Sequence, residues 1–193
     1  MTVYDFREKH YEIINGEKIL FGSSTFAHAL INSNLLMLFG LHVMKNKSGF
    51  IFNQLYVYLP DGNLVFPDII FVDKAQEKLL IDDEDKPFHG VPDMVAEIFS
   101  RSTMKRDFTI KKEIYERNGV KEYWLINPWS ESIEVYLLRD GKYFLDDVYQ
   151  NYSDEDLKVL TDEERAEVKF EIPVAVLDGF KVKIKKIFGR YFE

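Results

Sequence analysis

The sequence predicts a mixed α/β (α+β) domain: a central mixed β-sheet flanked by helices, with an N-terminal β-hairpin. Three observations predict it. Asn15-Gly16 and Asp140-Gly141 each separate two β-prone runs, as two-residue hairpin turns do. Between about Thr25 and Asn46, Ala27, Leu30, Ile31, Leu35, Leu38 and Leu41 recur at helical spacing. The stretch PDMVAEIFSRSTMKRDFTIKKEIY, Pro92 to Tyr115, begins as a strand and ends as a helix. Strands and helices therefore alternate along the chain, and a sheet with helices on its faces buries both.

The elements follow in order. YEIINGEKILFG forms the first hairpin, and Ser23, Ser24 or Thr25 caps the long helix after it. FIFNQLYVYLPDGNLVFPDIIFV reads as two strands about Asp61-Gly62, the second containing Pro67-Asp68. Residues 73 to 90 are charged and turn-rich, a loop with room for a short helical turn. A strand over about Met94–Phe99 precedes a helix over about Asp107–Asn118, with Asp107 at its N-cap and Gly119 at its C′ position. VKEYWLIN is another strand, in which Tyr123 and Trp124 pack, and SIEVYLLRDGKYFLDDVY is a second hairpin. SDEDLKVLTDEERAEV is polar and mixed and receives no assignment. FEIPVAVLDGFKVKIKKIFGRYF joins an apolar stretch to a basic tail. With 193 residues and no linker-like tract, one domain over 1–193 is expected.

Composition narrows the chemistry. The chain has no cysteine, which excludes disulfides, thiolate zinc sites and cysteine nucleophiles. Its longest apolar run, Leu35 to Met44, is too short to span a bilayer, and its charged start lacks a signal-peptide centre. A soluble cytoplasmic protein with no membrane partner is expected. A formal net charge of -8 counts against a protein wrapped in nucleic acid. Two local clusters are basic: Arg101, Lys105, Arg106, Lys111 and Lys112, then Lys181, Lys183, Lys185, Lys186 and Arg190. There is no P-loop, no G-x-S-x-G elbow and no H-E-x-x-H. His28 and His42 stand 14 residues apart on one helix. That is about 21 Å, too far for one metal.

Three charged residues sit where apolar ones are expected. In the strand Met94–Phe99, the alternating faces are Val95, Glu97, Phe99 and Met94, Ala96, Ile98, apolar on both sides except at Glu97. A carboxylate there reaches solvent, pairs with a cation or binds a metal. On the following helix, at about 100° per residue, Lys111 falls inside the arc of Ile110, Ile114 and Tyr115, while Lys112, Glu113 and Glu116 make the polar face. An inward lysine needs a carboxylate partner or a route to snorkel. Asp68, in LVFPDIIFVD, is a second carboxylate in apolar company. Two carboxylates from adjacent strands, with the Ile98 backbone carbonyl, suit Mg²⁺ or Mn²⁺. An ammonium beside them orients water or stabilises a crowded phosphorane-like charge, the needs of phosphodiester hydrolysis.

At these residues the chain resembles the PD-(D/E)XK nuclease superfamily, and within it the prokaryotic Uma-two family assigned as restriction endonucleases. The resemblance lies in His28, FPDIIF, VPDMVAEIFSRST and DFTIKKEIYERNGVKEYWLINP, over about Tyr11 to Tyr136 with an echo in IPVAVLDGFKVKIKKIF. It departs at Phe99, where the superfamily has its lysine, at Arg101 for a usual proline and at Asn127 for a common aspartate. In this family the lysine has moved to the helix, which is Lys111. The resemblance implies a restriction-endonuclease-like core, a Mg²⁺-dependent endonuclease (Mn²⁺ as an alternative ion), DNA as substrate and a homodimer. Asp68 and Glu97 would bind metal and Lys111 would position water. Accessory candidates each have a plainer reading: Asp93 as a strand-entry residue, His28 as a backbone-satisfied core histidine, Tyr115 as core with its hydroxyl near the site. Two other functions stay open: a catalytically silent nuclease fold for nucleic-acid binding or dimer assembly, and a metal-dependent phosphoesterase acting on a small molecule.

Overall fold

The computed structural model describes residues 10–20, 22, 24–81, 86–100 and 107–190. Among them the strands fall into three sheets. The largest has six strands in the order β11-β10-β9-β8-β6-β3, with β3 Gly49–Asn53, β6 Ile69–Asp73, β8 Met94–Ile98, β9 Glu122–Asn127, β10 Ser132–Arg139 and β11 Lys142–Gln150. Its pairs are antiparallel except β8 and β9, which run parallel and are linked by a helical crossover. The second sheet has the order β2-β1-β5-β4-β7, built from β1 Tyr11–Ile14, β2 Glu17–Leu20, β4 Val57–Tyr58, β5 Leu64–Val65 and β7 Phe88–His89. The third pairs β12 Glu171–Pro173 with β13 Lys181–Lys183.

Each face of the six-stranded sheet carries its own core. On one face, Ile69, Phe71, Met94, Ala96, Ile98, Trp124 and Ile126 meet Ile31, Leu35, Phe39 and Val43 of α1 (Phe26–Asn46) and Ile184 and Ile187 of the last helix. On the other, Ile70, Val72, Val95, Phe99, Tyr123 and Leu125 meet the second sheet and the helix after β8. The alternation in Met94–Phe99 is thus real, with both faces buried. Tyr123 and Trp124 pack on opposite faces, as neighbours in a strand must. α1 has 21 residues and is long and apolar enough to cross a membrane. That is longer than its apolar run alone indicates. Its buried face is seated on the sheet, and its Asn34 side chain donates to Ile187 and Gly189 carbonyls. It is read as a core helix of the domain.

Caps and turns explain most boundaries. The Thr25 hydroxyl accepts from the His28 amide and starts α1. Asn15-Gly16 and Asp140-Gly141 take positive φ, as type I′ hairpin turns require. Gly119 ends the crossover helix in the left-handed region. The segment 73–90 holds a 3₁₀ turn (Lys74–Gln76), the short helix α2 (Glu77–Ile81) and β7. The unassigned polar stretch forms α4 (Asp154–Val159) and α5 (Asp162–Glu167), each opened by a capping box, from Ser153 and Thr161. The tail forms β12, β13 and α6 (Ile184–Phe188).

Two expectations change. The two strands expected about Asp61-Gly62 are four, because the chain breaks at Gln54, with φ 52°, and at Pro67. β4 and β5 leave for the second sheet, and Asp68 precedes β6 rather than lying within a strand. The crossover helix opens as a π-turn, Asp107–Lys111, before α3 (Lys112–Asn118). A π-turn holds more residues per turn than the α-helical wheel assumes. The phase therefore slips: Lys111 stays buried, but Ile110, expected beside it, is 38% exposed. The Asp107 side chain, with its N-cap reading, and Arg101, Lys105 and Arg106 lie outside the described residues.

Two predictions follow from this packing. Phe39 makes edge contacts with Trp124 and Phe180, at 5.6 and 5.3 Å between centroids. Phe39→Ala is expected to cost about 3–5 kcal/mol in urea denaturation. Glu122, fully buried at the start of β9, accepts from the Trp124 indole (2.7 Å) and the Val176 amide (3.0 Å). Desolvation outweighs these donors and pushes its carboxyl up to about 7. The folded state therefore holds this proton more tightly than the unfolded chain. Its contribution is complete below about pH 4.5 and is lost as pH rises to about 7. The stability of the wild type relative to Glu122→Gln should fall across that window and then level off.

Candidate active site

The site lies where β6 and β8 pair. The register Ile69↔Ala96 carries one step further to Asp68 beside the end of β8. There Asp68 Oδ2 accepts from the Ile98 amide at 2.8 Å. This bond gives the Ile98 amide an acceptor beyond the end of the β6–β8 register, and it fixes the carboxylate against Ile98. His28 Nε2 lies 3.1 Å from both Asp68 oxygens. Asn32, one turn along α1, donates to the Asp68 carbonyl at 3.4 Å. Asp68 is thus held by α1 on one side and by β8 on the other.

Glu97 points to the other face, toward the π-turn. Its Oε1 accepts from Lys111 Nζ at 2.8 Å and from the Tyr115 hydroxyl at 2.7 Å. The answer to the sequence puzzle is therefore an ion pair: Glu97 is 4% exposed and Lys111 2% exposed. Burial pushes the Tyr115 hydroxyl well above the ordinary tyrosine value, and the Glu97 and Glu12 carboxylates add to the shift. Tyr115 therefore stays a donor to Glu97.

Glu12 was not anticipated. It is fully buried on β1, and its Oε1 lies 2.7 Å from Lys111 Nζ. The same oxygen accepts from the Phe66 amide at 2.9 Å. One signal in the sequence pointed to it. In β1, Glu12 shares a face with Ile14, so period-two reading places an acid at a core position. Asn32 was missed too, and no pattern marks an asparagine on a helix as a ligand neighbour.

Of the expected site residues, Glu97, Lys111 and Tyr115 touch directly. Asp68 accepts from the Ile98 amide, next in the chain to Glu97, with His28 behind it. His28 thus pairs with a carboxylate rather than with backbone. Asp93 stands apart, at the opposite end of β8. It accepts from the Asp73 amide (2.7 Å) and Gln76 Nε2 (2.9 Å) and pairs with Lys121 (2.6 Å), which is a strand-entry role. The first basic cluster is not a surface patch as far as it is described: Lys111 is buried, and Lys112 lies 3.5 Å over the Tyr136 ring.

Oxygen donors dominate the site, in the Asp68, Glu97 and Glu12 carboxylates and a backbone strand end. His28 Nδ1 and Asn32 Oδ1 are buried without a hydrogen-bond partner among the described residues. Among those residues no three His, Asp or Glu side chains group closely enough to hold a metal by themselves. The donor set fits a hard cation that takes one or two carboxylates and completes its shell with water and phosphate. Asp68 and His28 side chains are 13% and 10% exposed, against 5% and 3% for Glu97 and Lys111.

Removing Lys111 takes away the ammonium that Glu97 and Glu12 share. Lys111→Met is expected to cost about 3–5 kcal/mol in denaturant unfolding, more than a surface ion pair commands.

A family model described as "Putative restriction endonuclease", Uma2, matches residues 1–175. A crystal structure from Anabaena variabilis, described as a "putative nuclease", is similar with a TM-score of 0.71 at 18% identity, covering 94% of this chain and 90% of that one. At that identity the likeness is one of fold. No curated protein matches the chain. The family match spans nearly the whole chain, from the hairpin that supplies Glu12 through the strands and helix that supply Asp68, Glu97 and Lys111, and the chain belongs to the Uma2 family.

Proposed function

We propose that this protein is a metal-dependent endonuclease that hydrolyses phosphodiester bonds of DNA. The single observation that carries the reading is the buried Glu97–Lys111 contact one ladder step from Asp68. Family membership supports the nuclease class. Asp68, Glu97 and the Ile98 carbonyl would hold Mg²⁺ or Mn²⁺. A cation bound there would polarise a phosphate oxygen and favour ionisation of water. His28 orients the Asp68 carboxylate by a hydrogen bond to it. Tyr115 donates to Glu97 and keeps one oxygen of that carboxylate fixed. Lys111 brings an ammonium to the reacting phosphate, where it orients the attacking water and offsets the charge gathering on phosphorus. The homodimer belongs to the same reading, and the exposed apolar residues of α1 (Phe26, Met37, Leu41 and Met44) support it.

The test is cleavage of supercoiled plasmid DNA with Mg²⁺ or Mn²⁺. Asp68→Asn and Glu97→Gln should each lower the rate on the order of 100-fold or more, with circular dichroism like that of the wild type. Cleavage by both variants at the wild-type rate would remove these residues from the reaction. Binding of DNA without any turnover, at millimolar metal, would favour the silent binding module instead.

A further inference from the structure

Among the described residues Lys111 pairs with the Glu97 and Glu12 carboxylates, and the proposed reaction uses only the first. Glu97 Oε1 already takes bonds from Lys111 and Tyr115. A cation arriving at Glu97 competes with the ammonium for that carboxylate, since two positive charges on one side chain repel. Held by Glu97 alone, Lys111 would be released or would keep the cation out. Glu12 removes this conflict. It is fully buried, 2.7 Å from Lys111 Nζ, and anchored through the same Oε1 to the Phe66 amide. Phe66 is two residues before Asp68 in the chain. One oxygen therefore ties the lysine and the segment carrying Asp68 to the first hairpin.

We infer that Glu12 is the positioning residue of this site, a second counter-ion that keeps the Lys111 ammonium aimed while Glu97 is shared with a cation. The inference rests on the nuclease reading for its consequence in turnover, but not for the contact itself. Glu12 does not touch the reacting atoms. It acts through Lys111, and it makes the N-terminal hairpin part of the catalytic machinery.

Glu12→Gln isolates the role. The amide oxygen still accepts from Phe66, while the charge facing Lys111 is lost. In the full-length, metal-free protein, the Lys111 ¹⁵Nζ–¹H correlation, assigned by its disappearance in Lys111→Met, reports how firmly the ammonium is held. Glu12→Gln is expected to speed its hydrogen exchange by about tenfold or more. With Mn²⁺ and duplex DNA it should lower kcat by about 100-fold and leave KM within about threefold. Exchange and kcat both at wild-type values would overturn the inference. A wild type that cuts no DNA with Mn²⁺ would sink the nuclease reading, while the exchange comparison would still decide whether Glu12 holds Lys111. If Glu12→Gln alone does not fold, it is placed in the Lys111→Met background. A pair that withstands more denaturant than Lys111→Met alone supports the coupling, because the Glu12 charge left facing Glu97 without the ammonium has gone. A pair no more stable than Lys111→Met overturns it.

Discussion

The Lys111 ammonium, shared between Glu97 and Glu12, is the interaction on which the arrangement of the site depends. Its three members come from β8, from the π-turn and from the first hairpin, so one charge joins the central sheet, the crossover helix and the second sheet. In the interior each of these groups alone is expensive, since desolvation of a single charge costs several kcal/mol. Together they satisfy one another, with the Tyr115 hydroxyl and the Phe66 amide as further donors. The π-turn is the local distortion that this placement uses. It widens the first turn, keeps Lys111 inward at the junction with α3, and turns Ile110 out.

The six-stranded sheet sets what surrounds this charge. Its two faces carry separate cores, and the site forms at the end of β8, where a side chain from each face is within reach. Glu97 looks toward α3, whereas Asp68 is fastened to α1 through His28 and Asn32. The deeper half is the buried ion-pair network of Lys111 with Glu97 and Glu12. The shallower half, Asp68 and His28, is nearer solvent. Such a division suits a site whose rigid part orients a charged group and whose open part meets a substrate, which is the arrangement the proposed nuclease requires.

Local patterns were legible wherever the physics is local. The hairpins at Asn15-Gly16 and Asp140-Gly141, the cap of α1 and the Gly119 terminus depend on a few neighbouring residues and were read correctly. So was the strand Met94–Ile98, whose apolar run on both faces exposes Glu97 as anomalous. Pattern and family resemblance single out Asp68, Glu97, Lys111, His28 and Tyr115, and the structure sets Asp68 against His28 and Glu97 against Lys111 and Tyr115. The four short strands between Gly49 and Asp73 were not legible, because a strand changing sheets at Gln54 and Pro67 looks like one continued β-prone run. Ile110 was misplaced because a wheel of 3.6 residues per turn has no π-turn in it.

By itself the sequence determined the alternation of strands and helices, the anomalous carboxylates and ammonium, and the family that their spacing matches. Those features follow from side-chain periodicity and turn chemistry, which act over a few residues. The tertiary structure alone decided that Glu12 joins Lys111 and that Asp93 does not enter the site. It also decided that the Asp68 carboxylate bonds the Ile98 amide, next in the chain to Glu97. Glu12 and Lys111 lie far apart in the chain, and only sheet pairing and burial bring them within 2.7 Å. No local pattern encodes which buried charges will meet, because desolvation rewards whichever partner the packed fold delivers.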